Sequence, residues 1–224
     1  VAEVTLSGSA VTRATIHLPR VGVWCADVDV DTETAPTGRV SLAVDGAARW
    51  SGTVVAGEVL HGLWRGRIVG GAGGLRTELP ATAYRLATLA DILADILAAT
   101  GETLATDAGD LTASAPLYHR AKGTGAQAVA ELARALGYVW RVRGDGTLWL
   151  GAETWPDATA ADWTLLDRDP VRGIYTLGGD ALALVPGQLV SVRDESGDVF
   201  VRAGDVRHVI EPEAITTTLW QATT

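Results

Sequence analysis

One cysteine, one phenylalanine and no methionine occur in 224 residues, and lysine appears once, as Lys122. Each shortage excludes something. Cys25 alone cannot form an intramolecular disulfide or a multi-cysteine metal site, and a single thiol suits a chain assembled in a reducing cytoplasm. Basic residues number 18 against 27 acidic ones, a net charge of −9, which argues against a protein that grips nucleic acid by neutralising phosphates. No run of about 18 apolar residues is present, so no membrane span is expected. The amino terminus, Val1-Ala2-Glu3-Val4, is strand-like and carries no mark of a secretory leader. The four histidines, His17, His61, His119 and His208, are dispersed, and none has metal-ligand spacing. With no Gly-x-Ser-x-Gly elbow either, the expectation is no catalytic, cofactor-binding or metal-binding residue, and no enzyme.

What is present is core material: 47% hydrophobic residues and a mean hydropathy of +0.18, enough for one large or two small domains. The most legible unit runs from Thr124 to Gly151. Thr124 and Gln127 have capping-box spacing, Val129, Leu132, Ala133 and Leu136 form one apolar stripe, and Gly137 ends the helix. Two strand-like runs around Gly144-Asp145-Gly146 follow as a hairpin. Thr88 and Asp91 cap a second helix, whose stripe is Leu89, Ile92, Leu93, Ile96 and Leu97 and whose stop is Gly101. Before it, short strands alternate with turns, Asp45-Gly46 being the strongest hairpin signal. Beyond Pro156 strands return up to Trp220. The expected fold is α+β, mainly β: two small antiparallel β-barrels, residues 1–76 and 156–224, with a two-helix α/β unit, 77–155, inserted between them.

Candidate motifs are weak. Asp27-Val28-Asp29-Val30-Asp31 opens like a calcium loop, but Thr32 and Gly38 stand where Gly and Glu are required; it reads as a solvated strand face. Gly70 to Gly74 lacks the following Gly-Lys-Ser/Thr of a phosphate cradle. Asp194 and Glu195 sit in a turn. Of the eight tryptophans, Trp24, Trp50, Trp64, Trp140, Trp149 and Trp220 fall on expected strands, either as barrel packing or as subunit-interface aromatics, the interface candidates being Trp24, Trp64, Trp140, Trp149 and Trp220.

The carboxy-terminal runs Leu184-Val185-Pro186-Gly187-Gln188-Leu189-Val190, Gly204 to Ile210 and Ile215 to Trp220, with the middle helix and Asp145-Gly146-Thr147-Leu148-Trp149-Leu150-Gly151, resemble the hub proteins of phage tails and baseplates and of related contractile injection machines. That resemblance implies a structural homotrimer in the virion tail tip, assembled in the host cytoplasm. Each chain would contribute two barrels to a pseudo-sixfold ring joining the tail tube or distal tail proteins to a tip spike or fibre, with DNA passing through unbound. Asp27, Asp29 and Asp31 are then expected to face the lumen, where carboxylates repel phosphates. The alternative is a carbohydrate- or protein-binding β module with exposed tryptophans.

Overall fold

A computed structural model describes residues 2–153, 158–159, 163–179, 181–194 and 197–222. Six strands come first: β1 (Val4–Leu6), β2 (Ser9–Leu18), β3 (Cys25–Asp31), β4 (Arg39–Val44), β5 (Ala47–Leu60) and β6 (Leu63–Gly70). They pair antiparallel in the order β1-β4-β5-β6-β3-β2, and β1 also pairs β2, which closes a barrel. Asp45 and Gly46 take positive φ (49° and 77°), as a tight hairpin turn requires. His61 and Gly62 do the same (53° and 79°), so β5 runs five residues beyond the Val55 at which the sequence pattern stops.

Trp24 and Trp64, each only 1% exposed, fill the barrel. Both rings lie against glycines that are cross-strand partners, Trp24 on Gly52 and Gly70, Trp64 on Gly57 and Gly66. A strand glycine normally weakens a sheet; here the missing side chains leave the slots that the indoles occupy.

The middle of the chain contains β7 (Glu78–Leu79), β8 (Thr82–Thr88), α1 (Leu89–Thr100), β9 (Ser114–Arg120), β10 (Gly123–Thr124), α2 (Gly125–Leu136), β11 (Val139–Val142) and β12 (Leu148–Gly151). Both expected helices are present with complete capping boxes, Thr88 with Asp91 and Thr124 with Gln127, and both end on a left-handed glycine, Gly101 and Gly137. They pack on each other with Ile92, Leu93, Ile96, Val129 and Leu132 buried. The β11–β12 hairpin follows as expected. Unexpected is β8, which pairs only with β9.

The last strands are β13 (Ala158–Thr159), β14 (Thr164–Asp169), β15 (Ile174–Gly178), β16 (Leu189–Asp194), β17 (Gly197–Glu211) and β18 (Ala214–Gln221). They run β14-β15-β18-β17-β16-β13, and β17 also pairs antiparallel with β2, so this sheet is continuous with the barrel. Among the described residues no pairing joins β13 to β14. The connection between them passes through 160–162, and the turn read at Asp194–Asp198 is centred on 195–196; both lie outside the described residues.

At the shared seam His208 of β17 is fully buried, its ring 5.7 Å from that of Trp50 and its Nδ1 2.9 Å from Thr217 Oγ1. Burial pushes its pKa down to about 4. The imidazole is therefore neutral in the folded chain at pH values where the unfolded chain, near 6.5, takes a proton. Its contribution to stability is complete above pH 6.5 and is lost as pH falls from 6.5 towards 4, a loss of about 2–3 kcal/mol. Urea midpoints of the native chain and of His208→Leu, followed from pH 7.5 to 4, are expected to converge over that interval; parallel curves would disprove the assignment.

Candidate assembly surface

The outer face of the barrel carries the acidic strip read from the sequence, but not as a bare row of carboxylates. Inward positions Ala26, Val28 and Val30 force Asp27, Asp29 and Asp31 outward. On the neighbouring strand, inward Trp64 and Ile68 likewise force Arg65 and Arg67 out. Register then places Asp27 opposite Arg67 and Asp29 opposite Arg65. Arg67 donates from Nε and Nη2 to the two Asp27 oxygens, each at 2.7 Å, and that hydrogen bonding holds the Asp27 carboxyl below the usual carboxylate range. Arg65 stands 3.4 Å from Asp29. Asp31 and Glu58 extend the strip without an ion pair among the described residues. The interleaved arginines were readable as outward residues of their own strand; only the register between strands reveals that they face the aspartates.

The five tryptophans read as interface candidates separate by burial. Trp24 and Trp64 belong to the barrel interior, and Trp140 and Trp149 are 7% exposed. Trp149 lies beneath two guanidiniums, Arg141 at 4.9 Å and Arg143 at 5.3 Å from its ring centre. Only Trp220 is half-exposed, with Arg207 5.6 Å from its ring. The apolar groups that do reach solvent are different ones. Leu86, 84% exposed, adopts φ 51° within β8, and Leu117 of β9, the partner of neighbouring Arg85, is 57% exposed. Alternation would have turned Leu86 inward; the left-handed backbone turns it out, at a cost of about 1–2 kcal/mol. Val171 in the β14–β15 turn and Phe200 on β17 are also exposed.

Two internal anchors fix the middle unit to the barrel. The glycine loop after β6 does bind an anion, namely the chain's own: Glu102 is buried, and its carboxylate accepts from the Ala72 and Gly74 N–H groups at 2.9 and 3.1 Å. Beyond β12, Glu153 accepts from Arg20 (Nη2 at 2.6 Å, Nε at 2.8 Å) and from Arg141 Nη2 at 2.9 Å. Between this cluster and the seam lies a cavity of about 390 Å³ with Trp24, Trp50 and Trp149 in its wall.

Among the described residues no three His, Cys, Asp or Glu side chains are grouped so as to hold a metal ion, and no helix is long and apolar enough to cross a membrane. Burial pushes the Cys25 thiol above its ordinary pKa, the opposite of what a nucleophile needs.

No protein-family model matches the sequence, and no curated protein does. Solved structures do match, over nearly the whole chain. A tail protein from Neisseria meningitidis MC58 is 14% identical at a TM-score of 0.70, the match covering 97% of this chain and 95% of that one. The 43 kDa tail protein of prophage MuSo2 from Shewanella oneidensis is 12% identical at 0.70, covering 98% and 97%. The E. coli c3393 protein, a type VI secretion component structurally similar to the T4 tail proteins gp27 and gp5, is 11% identical at 0.72, covering 99% and 77%. The chain shares the fold of these phage tail and type VI secretion proteins.

Proposed function

We propose that this chain is a structural, non-enzymatic subunit of a phage tail tip or baseplate hub, and that its three parts, 1–76, 77–155 and 156–224, are two β bodies joined by an inserted unit. Three copies would place six β bodies around one channel, a threefold ring that adapts a sixfold tail tube to a threefold tip while DNA passes. The observation that carries this reading is end-to-end likeness: more than nine-tenths of this chain and of two tail proteins superimpose on each other. The continuous pairing of β2 with β17 adds support, because it fixes the two β bodies side by side as neighbours in a ring must be.

Asp27, Asp29, Asp31 and Glu58 are assigned to the channel wall. Four carboxylates against two guanidiniums leave that strip acidic, and the pairing of Asp27 with Arg67 and of Asp29 with Arg65 holds those two carboxylates in fixed positions. The rival, a glycan-binding module, has less to stand on, since four of the five candidate tryptophans, Trp24, Trp64, Trp140 and Trp149, lie within the fold.

Light scattering of the purified chain, followed by negative-stain images, tests the reading. The expected mass is three times 23.3 kDa, with a hollow centre. A monomer at high micromolar concentration, or a ring of six equal copies, would overturn it.

A further inference from the structure

The cavity at the junction of barrel, hairpin and carboxy-terminal sheet has a composition unlike the rest of the surface. Leu18, Pro19, Trp24 and Trp50 come from the barrel side, Trp149 from β12, and Val185 and Pro186 from the loop before β16. Apart from indoles, the only polar side chains in its lining among the described residues belong to Arg49, Arg141 and Arg143. Two of the indole N–H groups are already committed inside the chain, Trp24 Nε1 to the Arg143 carbonyl at 3.0 Å and Trp149 Nε1 to the Asp107 carbonyl at 3.2 Å. These rings therefore offer the cavity apolar surface alone. A metabolite pocket orients its ligand with several convergent donors and acceptors; among the described residues this one has no amide, hydroxyl or carboxylate side chain with which to do so.

The three guanidiniums are not equivalent. Arg141 is held by Glu153 at 2.9 Å. Arg143 makes a two-point pair with Asp107, whose side chain is 63% exposed. Arg49 is exposed and has no ion pair or hydrogen bond through its side chain among the described residues. An apolar hollow whose charged lining, among the described residues, is three guanidiniums needs an apolar group to fill it and carboxylates to meet its rim.

We propose that this cavity is a docking socket for an acidic peptide segment of another protein, one apolar side chain seating on Pro19, Val185 and Pro186 at the mouth, above the buried tryptophans, while flanking carboxylates pair with Arg49 and share Arg143. The volume of about 390 Å³ accommodates one large side chain with part of its flanking backbone. Because the walls come from four separate stretches of sequence, an occupied socket would also clamp the β11–β12 hairpin to the barrel. The assignment is independent of the number of copies in any ring.

Calorimetry with defined peptides tests it. Three probes are acetyl-Asp-Glu-Phe-Glu-Asp-amide, the same peptide with Gly for Phe, and acetyl-Lys-Lys-Phe-Lys-Lys-amide. Two substitutions are made where side chains are exposed and folding is not at risk: Ala183→Phe, which plugs the mouth, and Arg49→Glu, which inverts the free rim charge. The acidic Phe peptide is expected to bind saturably, about tenfold more weakly to Arg49→Glu, more weakly as salt rises, and not at all to Ala183→Phe. The Gly and Lys peptides are expected to give no saturable heat. Absence of binding by the acidic Phe peptide, equal binding by the Lys peptide, or binding indifferent to both substitutions would overturn the proposal. So would self-association of the native chain that Ala183→Phe abolishes, which would assign the socket to a second copy.

Discussion

Glu153→Ala is expected to lower the unfolding free energy by about 3–5 kcal/mol, the range for removing one partner of a buried charge cluster. The carboxylate is 9% exposed and is shared by Arg20 and Arg141, side chains that are themselves 30% and 16% exposed. Removing it takes that shared anion from both guanidiniums at once, and Arg141 can reach solvent only by leaving its place over Trp149. The effect should be felt across the joint rather than locally. Arg20 belongs to the β2–β3 connection, Arg141 to β11, and two backbone hydrogen bonds of Gly22 with Trp140 and Val142 fasten the same segments. The Arg20 N–H also reaches Asp205 of β17 at 2.8 Å. Urea unfolding followed by near-ultraviolet dichroism should report the loss through Trp140 and Trp149. A double substitution, Glu153→Leu with Arg141→Met, should recover much of it, since an apolar pair of similar bulk replaces a buried ion pair at little net cost. A loss under about 1 kcal/mol for Glu153→Ala would mean that the cluster is screened as an exposed pair is.

That cluster also shows what the sequence could not disclose. Arg20 and Glu153 are separated by 133 positions, and nothing in the periodicity near either one points to the other. The helices were legible because their determinants are local: Thr88 with Asp91, Thr124 with Gln127, a stripe at helical spacing and a left-handed glycine all fall within a few turns. The barrel strands were legible where one face is apolar, as in β3. They failed where alternation fails. The distal half of β5 is exposed on both faces, and β8 is interrupted by Leu86 in the left-handed region, opposite a Pro116 that has no N–H to donate. For the candidate surface, the outward direction of Asp27, Asp29 and Asp31 was readable, whereas their arginine partners required the register of β3 on β6. Counting tryptophans on strands located aromatic mass, yet a two-residue period alone does not say which side of a strand is the core.

Gly66→Val is the sharper test of how that core is built, because two general expectations give opposite signs. On an ordinary strand valine is favoured over glycine by roughly 1 kcal/mol, and Gly66 has no positive φ to penalise a side chain. A Cβ at Gly66 would, however, stand 2.1 Å from Trp64 Cζ2 and 2.7 Å from the Ala56 carbonyl, and one on its cross-strand partner Gly57 would stand 2.5 Å from the same indole carbon. The indole is 1% exposed and has no vacant side to retreat to. Overpacking of this kind costs about 1–3 kcal/mol and occasionally more; with a ring carbon in the way and two further methyls added, the expected loss is about 3 kcal/mol or more. Thermal unfolding should fall by roughly 6–12 °C at that cost in a chain of this size. Trp64→Leu alone should also destabilise, by leaving the two glycines facing a void. Combining Gly66→Val with Trp64→Leu should cost less than the sum of the two, since the new side chain enters the space that the indole vacates. Additive losses, or a stabilised Gly66→Val, would mean that the indole does not rest on the paired glycines and that the barrel interior is organised in some other way.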